Sequence, residues 1–242
     1  MNVFVSGGSR GIGRAIALRF ARDGAKRIGI GYFRSDSAAE QTAEDLRALG
    51  AEPTLVRGNI GSDRVLEEVA ALGPLDVLVH NAASGVSVPA LEATEKHWDW
   101  TVNTNARALL QLAQVAAPQM PDGASIVAIS SLGAQRVLAN YTLVGTSKAA
   151  LEALVRYLAV ELAPKIRVNC VSGGVVETDA LDAFPNREEM LAAGRANPVG
   201  RMVTPDDIAG AVAFLCSPDA AMLRGQTLVV DGGFSLLVGA RA

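Results

Sequence analysis

A serine, a tyrosine and a lysine fall close together at Ser131, Tyr141 and Lys148, and these three types can handle a proton between them. A phenol can donate one, and a neighbouring ammonium favours its ionised form, so Tyr141 near Lys148 reads as a general acid with a lowered pKa. Seven positions separate the two, which at about 100° per residue puts them on nearly one helical face, about two turns apart. One turn before the lysine stands Val144, which neither donates nor accepts a proton. Equally, the stretch could hold a half-buried surface tyrosine and a solvated helix lysine. The elements that position it must decide.

Those elements alternate. Short apolar runs at 3–5, 27–32, 52–57, 75–80, 125–130, 167–171 and 227–230 read as strands, and the segments between them read as helices. Gly24 closes the first helix and Gly50 stops the second, expected over 37–49. Several strand runs are almost unbroken in their apolar character, as parallel strands covered on both faces must be. The expected architecture is α/β: a single-domain Rossmann fold over 1–242, with a doubly wound parallel sheet of about seven strands and helices on both faces. Ligands of such sheets sit beyond the carboxyl ends of the strands.

The first strand runs into Ser6-Gly7-Gly8-Ser9-Arg10-Gly11-Ile12-Gly13. Glycines here let the chain turn tightly and let a phosphate approach N–H groups at a helix N-terminus, where the dipole favours negative charge. A glycine triplet alone is weak, since such clusters also make plain loops, but its place between strand and helix points to a dinucleotide. An acidic residue ending the second strand would take the ribose 2′-hydroxyl of NAD. Tyr32-Phe33-Arg34-Ser35 stand there instead, and Arg34 with Arg10 can pair with a 2′-phosphate, which predicts NADPH over NADH. Asp36 lies beside them and must turn outward or oppose that phosphate; both arginines could also be merely solvated.

Composition closes off other classes. Half of the residues are hydrophobic and 19% charged, enough for a sizeable core and unlike a disordered chain. A net charge of -3 gives no electrostatic reason to expect nucleic acid or an anionic membrane as partner. Cys170 and Cys216 lack metal-ligand spacing and lie in apolar runs, as small buried thiols do, so no metal site and no disulfide are expected. No apolar run approaches a membrane span and the first residues hold no signal-peptide core, so a cytoplasmic protein is expected.

These residues resemble the short-chain dehydrogenase/reductase family over 3–233. The glycine stretch is similar to the family's cofactor turn, and His80-Asn81-Ala82-Ala83 to its Asn-Asn-Ala-Gly segment, with His80 and Ala83 departing from it. The resemblance implies cofactor contacts from Gly7, Ser9, Arg10, Gly11, Ile12 and Gly13, from Asn59 and Ile60 after the third strand, and from Asn81 and Ala82 under the ribose. Trp98-Asp99 with Asn105 resembles a helix whose asparagine helps hold a proton-relay water; a helix-bending core polar residue is the other possibility. Ser172-Gly173-Gly174-Val175-Val176-Glu177-Thr178 resembles the Pro-Gly-x-x-x-Thr loop over the nicotinamide, which implies contacts from Gly174, Val176 and Thr178.

One departure bears on the chemistry. The family's usual Tyr-x-x-x-Lys is here Tyr-x6-Lys, a spacing typical of its enoyl-acyl carrier protein reductases, and further segments resemble the NADPH-dependent type III branch of bacterial fatty-acid synthesis. That resemblance implies an enoyl thioester on acyl carrier protein or coenzyme A as substrate, and a homotetramer. Tyr141 is then expected to stabilise the enolate oxygen and Lys148 to bind the nicotinamide ribose. Ser131 could touch substrate, support Tyr141 or only satisfy a strand end. A substrate lid is expected at about 179–201, lined by Leu181, Phe184, Met190 and Leu191, and Arg187, Arg195 and Arg201 could meet an acidic carrier. A 3-oxoacyl or other ketone reductase, and a non-catalytic NADP-sensing protein, are the competing functions.

Overall fold

The computed structural model describes residues 1–178, 181 and 187–237. Seven strands form one parallel sheet in the order β3-β2-β1-β4-β5-β6-β7. They are β1 (Asn2–Ser6), β2 (Arg27–Tyr32), β3 (Glu52–Arg57), β4 (Val77–His80), β5 (Ala124–Ser131), β6 (Ile166–Gly173) and β7 (Thr227–Val230). The doubly wound α/β expectation holds.

The apolar runs explain the layering. Along β1, Phe4 faces one side of the sheet while Val3 and Val5 face the other, because side chains alternate along a strand. Phe4 joins a core with α3 (Asp63–Ala71), α5 (Ala108–Ala116) and α6 (Thr142–Glu161). Val3 and Val5 join a second core with α1 (Gly11–Arg22), α2 (Asp36–Ala48) and α8 (Pro205–Cys216). Each fully buried Val, Leu, Ile or Phe contributes roughly 1.5–3 kcal/mol.

Element bounds differ slightly from the sequence expectation, for local reasons. β4 begins at Val77, two residues late, because the Asp76 carboxylate turns to accept from the Asn2 N–H at 2.6 Å. α2 begins at Asp36, after Ser35 takes a left-handed φ of 71°. β6 runs on to Gly173, carrying the sheet to the start of the expected cover loop. Between α4 (Glu95–Val102) and α5 lies a π-helical turn, Asn103–Arg107, and such turns are frequent at functional sites. α7 (Arg187–Arg195) follows β6. Strand order reverses between β1 and β4, so the crevice at their carboxyl ends is where a ligand belongs.

Candidate active site

The glycine turn lies at that crevice. Gly7 has φ +66°, and a side chain on it would sit 2.9 Å from Asn81 Nδ2, while one on Gly13 would run into the Gly7 carbonyl. Asn81 Nδ2 donates to Gly7 O at 2.9 Å and to Ser6 O at 3.2 Å, so its side chain braces the turn. Thr42 on α2 holds Ser9 by donating to its carbonyl at 2.9 Å. The N-terminus of α1 has no side-chain cap and no acid in its first turn. Its first N–H groups are unpaired within the helix. The residues present fit a pyrophosphate.

Beyond the end of β2, Arg34 is exposed with its guanidinium 5.3 Å from the Phe33 ring centre, and Arg10 is exposed at the head of α1. Asp36 pairs with Arg57 Nε at 3.2 Å and takes a hydrogen bond from Tyr32, so it has turned away from opposing a phosphate. Asn59 Oδ1 accepts from Gly61 N at 3.2 Å, shaping its own loop. The Ile60 side chain is buried in the core with Phe4, which leaves its backbone to a ligand.

His80, noted in the sequence only as a departure, is a member of the site. It is 1% exposed, with Nδ1 3.1 Å from Ser6 Oγ and Nε2 3.3 Å from the Asn105 carbonyl. Ser6 Oγ already accepts from Asn81 N at 3.1 Å and Ala82 N at 3.0 Å. With both lone pairs used, its proton goes to His80 Nδ1, so Nε2 carries the ring proton and donates to Asn105 O. Burial, with Lys148 adding to it, pushes His80 down to about 3. The ring is therefore neutral and fixed in one tautomer.

Asn105 sits in the π-helical turn, fully buried. Its Oδ1 accepts from Ser84 N at 2.7 Å, and Nδ2 donates to Ser84 O at 2.8 Å and Ser147 Oγ at 2.9 Å. It thus locks the segment after β4 to α6. The side chain is occupied as a structural bridge and the carbonyl faces His80. Ser147 and Ser84 were not legible as site residues; serine beside lysine on a helix gives no distinct signal.

Tyr141 corrects two expectations. It is not inside the helix with Lys148 but is the N-cap residue of α6, at φ −107° and ψ 13°. Nor is its pKa lowered: burial raises it, and the hydrogen bond with Ser131 only opposes that. The phenol donates to Ser131 Oγ at 3.3 Å, and the same Oγ accepts from Gly133 N at 3.3 Å. Of the three roles open to Ser131, support of Tyr141 and strand-end bonding are both present. Lys148, 5% exposed, donates to the Ile129 carbonyl at 2.7 Å and is pushed down by burial to about 8. It is not a solvated surface lysine. Val144 is buried against Gly85.

The expected cover loop reaches the glycine turn, since Thr178 Cγ2 lies 3.4 Å from where a Gly11 side chain would begin. Gly174 donates to Val230 O at 3.0 Å, tight against Asp231, and Val176 forms a parallel bridge to Val203. Of the expected lid residues, Leu181 and Leu191 are buried, Met190 is half-buried and Phe184 lies outside the described residues. Arg201 binds Asp207 through both Nη atoms at 2.6 and 2.8 Å, at the N-terminus of α8, and Arg187 pairs with Glu188 at 2.6 Å. Arg195 is exposed.

A glycine turn at the switch point of a doubly wound sheet, with a half-buried tyrosine and serine and a buried lysine on the loop and helix after β5, defines a nucleotide-dependent oxidoreductase site. Residues 7–235 match the family described as Enoyl-(Acyl carrier protein) reductase. The chain belongs to the short-chain dehydrogenase/reductase family. It is 36% identical to the 1-cyclohexenylcarbonyl-CoA reductase of Streptomyces collinus, over 96% of this chain and 86% of that protein. It is 34% identical to a hydroxynaphthalene reductase-like protein of Metarhizium brunneum, over 95% of this chain and 92% of that one. A short-chain dehydrogenase from Burkholderia cenocepacia in complex with NADP superimposes with a TM-score of 0.88 at 32% identity, covering 97% of each chain.

Proposed function

We propose that the protein uses NADPH to reduce the carbon–carbon double bond of trans-2-enoyl thioesters, as an enoyl-acyl carrier protein reductase of fatty-acid or polyketide-type synthesis. The observation that carries this is the place of the proton-bearing group: Tyr141 stands at the mouth of α6, while the position one turn before Lys148 is filled by Val144, buried against Gly85. In ketone reduction the oxygen to be protonated is on the carbon that takes the hydride. In enoyl thioester reduction hydride reaches C3 and charge appears on the C1 oxygen, so the donor must stand farther along the substrate. Seven residues before the lysine instead of four is a displacement of about one turn, ~4.5 Å of rise. The cyclohexenylcarbonyl thioester named for the Streptomyces relative is itself a conjugated enoyl thioester.

Bound NADPH supplies the hydride. Gly7, Ser9, Arg10, Gly11, Ile12 and Gly13 would hold its pyrophosphate side, with Arg10 and Arg34 on the 2′-phosphate, and Asn59, Ile60, Asn81 and Ala82 along the adenosine and ribose. Gly174, Val176 and Thr178 would cover the nicotinamide end, and Lys148 would meet the ribose hydroxyls and keep the local potential positive. Tyr141, kept protonated by burial, donates a hydrogen bond to the C1 oxygen as charge develops there, and the enolate so formed takes up a solvent-derived proton at C2 to complete the reduction. Ser131 holds the phenol in place. The segment 179–201 acts as the substrate lid, and an acyl carrier protein or coenzyme A carries the thioester.

One observation favours a second reaction. With the Tyr141 hydroxyl 3.3 Å from Ser131 Oγ, both could grip one ketone oxygen, and the Metarhizium relative is named for a reductase of hydroxynaphthalenes. Crotonyl and acetoacetyl thioesters, each assayed with NADPH and NADH, separate the two. Faster NADPH-dependent turnover of crotonyl thioester, lost in Tyr141→Phe and Lys148→Ala, is expected; turnover of acetoacetyl thioester alone refutes the enoyl assignment.

The assembly proposed with this function is a homotetramer in the cytoplasm. Tyr157 and Val160 on α6 and Leu228 and Val229 on the edge strand β7 are exposed apolar residues suited to a second copy. Among the described residues no helix is long and apolar enough to cross a membrane. Sedimentation giving a monomer would reject the tetramer.

A further inference from the structure

The face of α6 turned to the sheet carries two ionisable side chains one turn apart, Lys148 and Glu152, 5% and 4% exposed. A buried carboxylate is costly unless its oxygens are hydrogen-bonded. Both are. Ser130 Oγ donates to Glu152 Oε1 at 2.8 Å and Gln135 Nε2 donates to Oε2 at 2.9 Å. Lys148 Nζ meanwhile donates to Ile129 O at 2.7 Å, so ammonium and carboxylate hold successive residues at the end of β5. Gln135 belongs to the irregular stretch that leads from the 3-10 turn Leu132–Ala134 to Tyr141.

We infer that Glu152 is a positioning residue of this site: its buried carboxylate ties the Tyr141-bearing loop to β5 through Gln135 and Ser130, and it is the counter-charge behind Lys148. The inference rests on Lys148 serving the cofactor, as proposed above. Burial pushes Lys148 down to about 8, with Cys170 and Glu152 acting in the opposite direction, that of keeping it protonated. The other titratable groups facing this pair are Cys170 on β6, pushed up to about 12 by burial, His80 on β4, neutral down to about 3, and Tyr141, raised. Between about pH 6 and 10 these three hold one charge state, so a change in that window reports the Lys148–Glu152 pair. Removing the negative charge lets Lys148 lose its proton at lower pH.

The test is NADPH affinity by nicotinamide fluorescence across that pH range, with kcat on crotonyl thioester beside it. Glu152→Gln keeps an amide that can bond Ser130 and Gln135 but removes the charge, and its alkaline loss of NADPH binding should begin roughly one pH unit lower. Gln135→Leu cuts the tie and keeps the charge; it should lower kcat by about tenfold with the alkaline limb unmoved. An unmoved limb in Glu152→Gln, or wild-type kcat in Gln135→Leu, overturns the inference. Should Glu152→Gln not fold, Gln135→Leu and Ser130→Ala carry the test through kcat. NADPH binding does not depend on the thioester, so binding without turnover of any thioester rejects the proposed reaction and still leaves the pH limb to decide this one.

Discussion

Tyr141 and His80 are held in opposite ways by the same force. Burial keeps the phenol protonated and the imidazole unprotonated, because a low-dielectric interior disfavours whichever form carries charge. For Tyr141 the consequence is a ready hydrogen-bond donor, so Tyr141→Phe should lower kcat on crotonyl thioester by about 10²–10³-fold with NADPH affinity retained, read by steady-state assay and fluorescence titration. For His80 the consequence is a pH-dependent stability. Its folded pKa lies below the ordinary 6.5, so its contribution is full above that value and is lost as pH falls from 6.5 towards about 3. Urea denaturation at pH 7 and pH 5 should show the wild type weakening by up to ~2 kcal/mol from this group. His80→Asn should lack that part of the loss. His80→Ala leaves the Ser6 hydroxyl and the Asn105 carbonyl without their partner, at a cost of roughly 2–4 kcal/mol at neutral pH.

At the scale of elements, the decisive feature is how α6 begins. Had the helix started one turn earlier, Tyr141 would project from its flank; as its N-cap, Tyr141 folds back over the loop after β5. That fold needs Gly133, where a side chain would lie 2.5 Å from the Tyr141 ring atoms, and Gly145, where one would lie 2.7 Å from the Gly133 carbonyl. Gly133→Ala is therefore expected to displace the phenol, lowering kcat by about 10²-fold while the melting temperature and NADPH affinity change little. The second such feature is the π-helical turn between α4 and α5. It turns the Asn105 side chain to Ser84 and Ser147, and its carbonyl to His80.

At the scale of the molecule, the sheet brings chain segments far apart in sequence to one crevice. The ends of β1, β4, β5 and β6 supply Ser6, His80, Ser131 and Gly173, and the turns after β1 and β2 supply Arg10 and Arg34. Asp36 is occupied by Arg57 and Tyr32, and in the proposed function Arg34 carries the choice between cofactors. Arg34→Ala should raise the KM for NADPH by about tenfold and leave that for NADH nearly unchanged, with the wild-type preference weakening as salt is added.

The α/β class, the number of strands, the glycine turn and the Tyr141–Lys148 spacing were all legible in the chain itself, because they rest on periodicity and on local steric rules. Apolar alternation and glycine positions constrain backbone within a few residues, so Val3-Phe4-Val5 and Gly7, Gly11 and Gly13 speak for themselves. What tertiary structure alone decided depends on which side chains meet across the sheet. No local pattern says that Ser6 gives its proton to His80, that Asn105 is spent on Ser84 and Ser147, or that Glu152 grips Ser130 and Gln135. The direction of the Tyr141 pKa also waited on the fold, because spacing speaks only for neighbours along the chain while burial, which outweighs the Ser131 hydrogen bond here, is a property of all the elements packed around it.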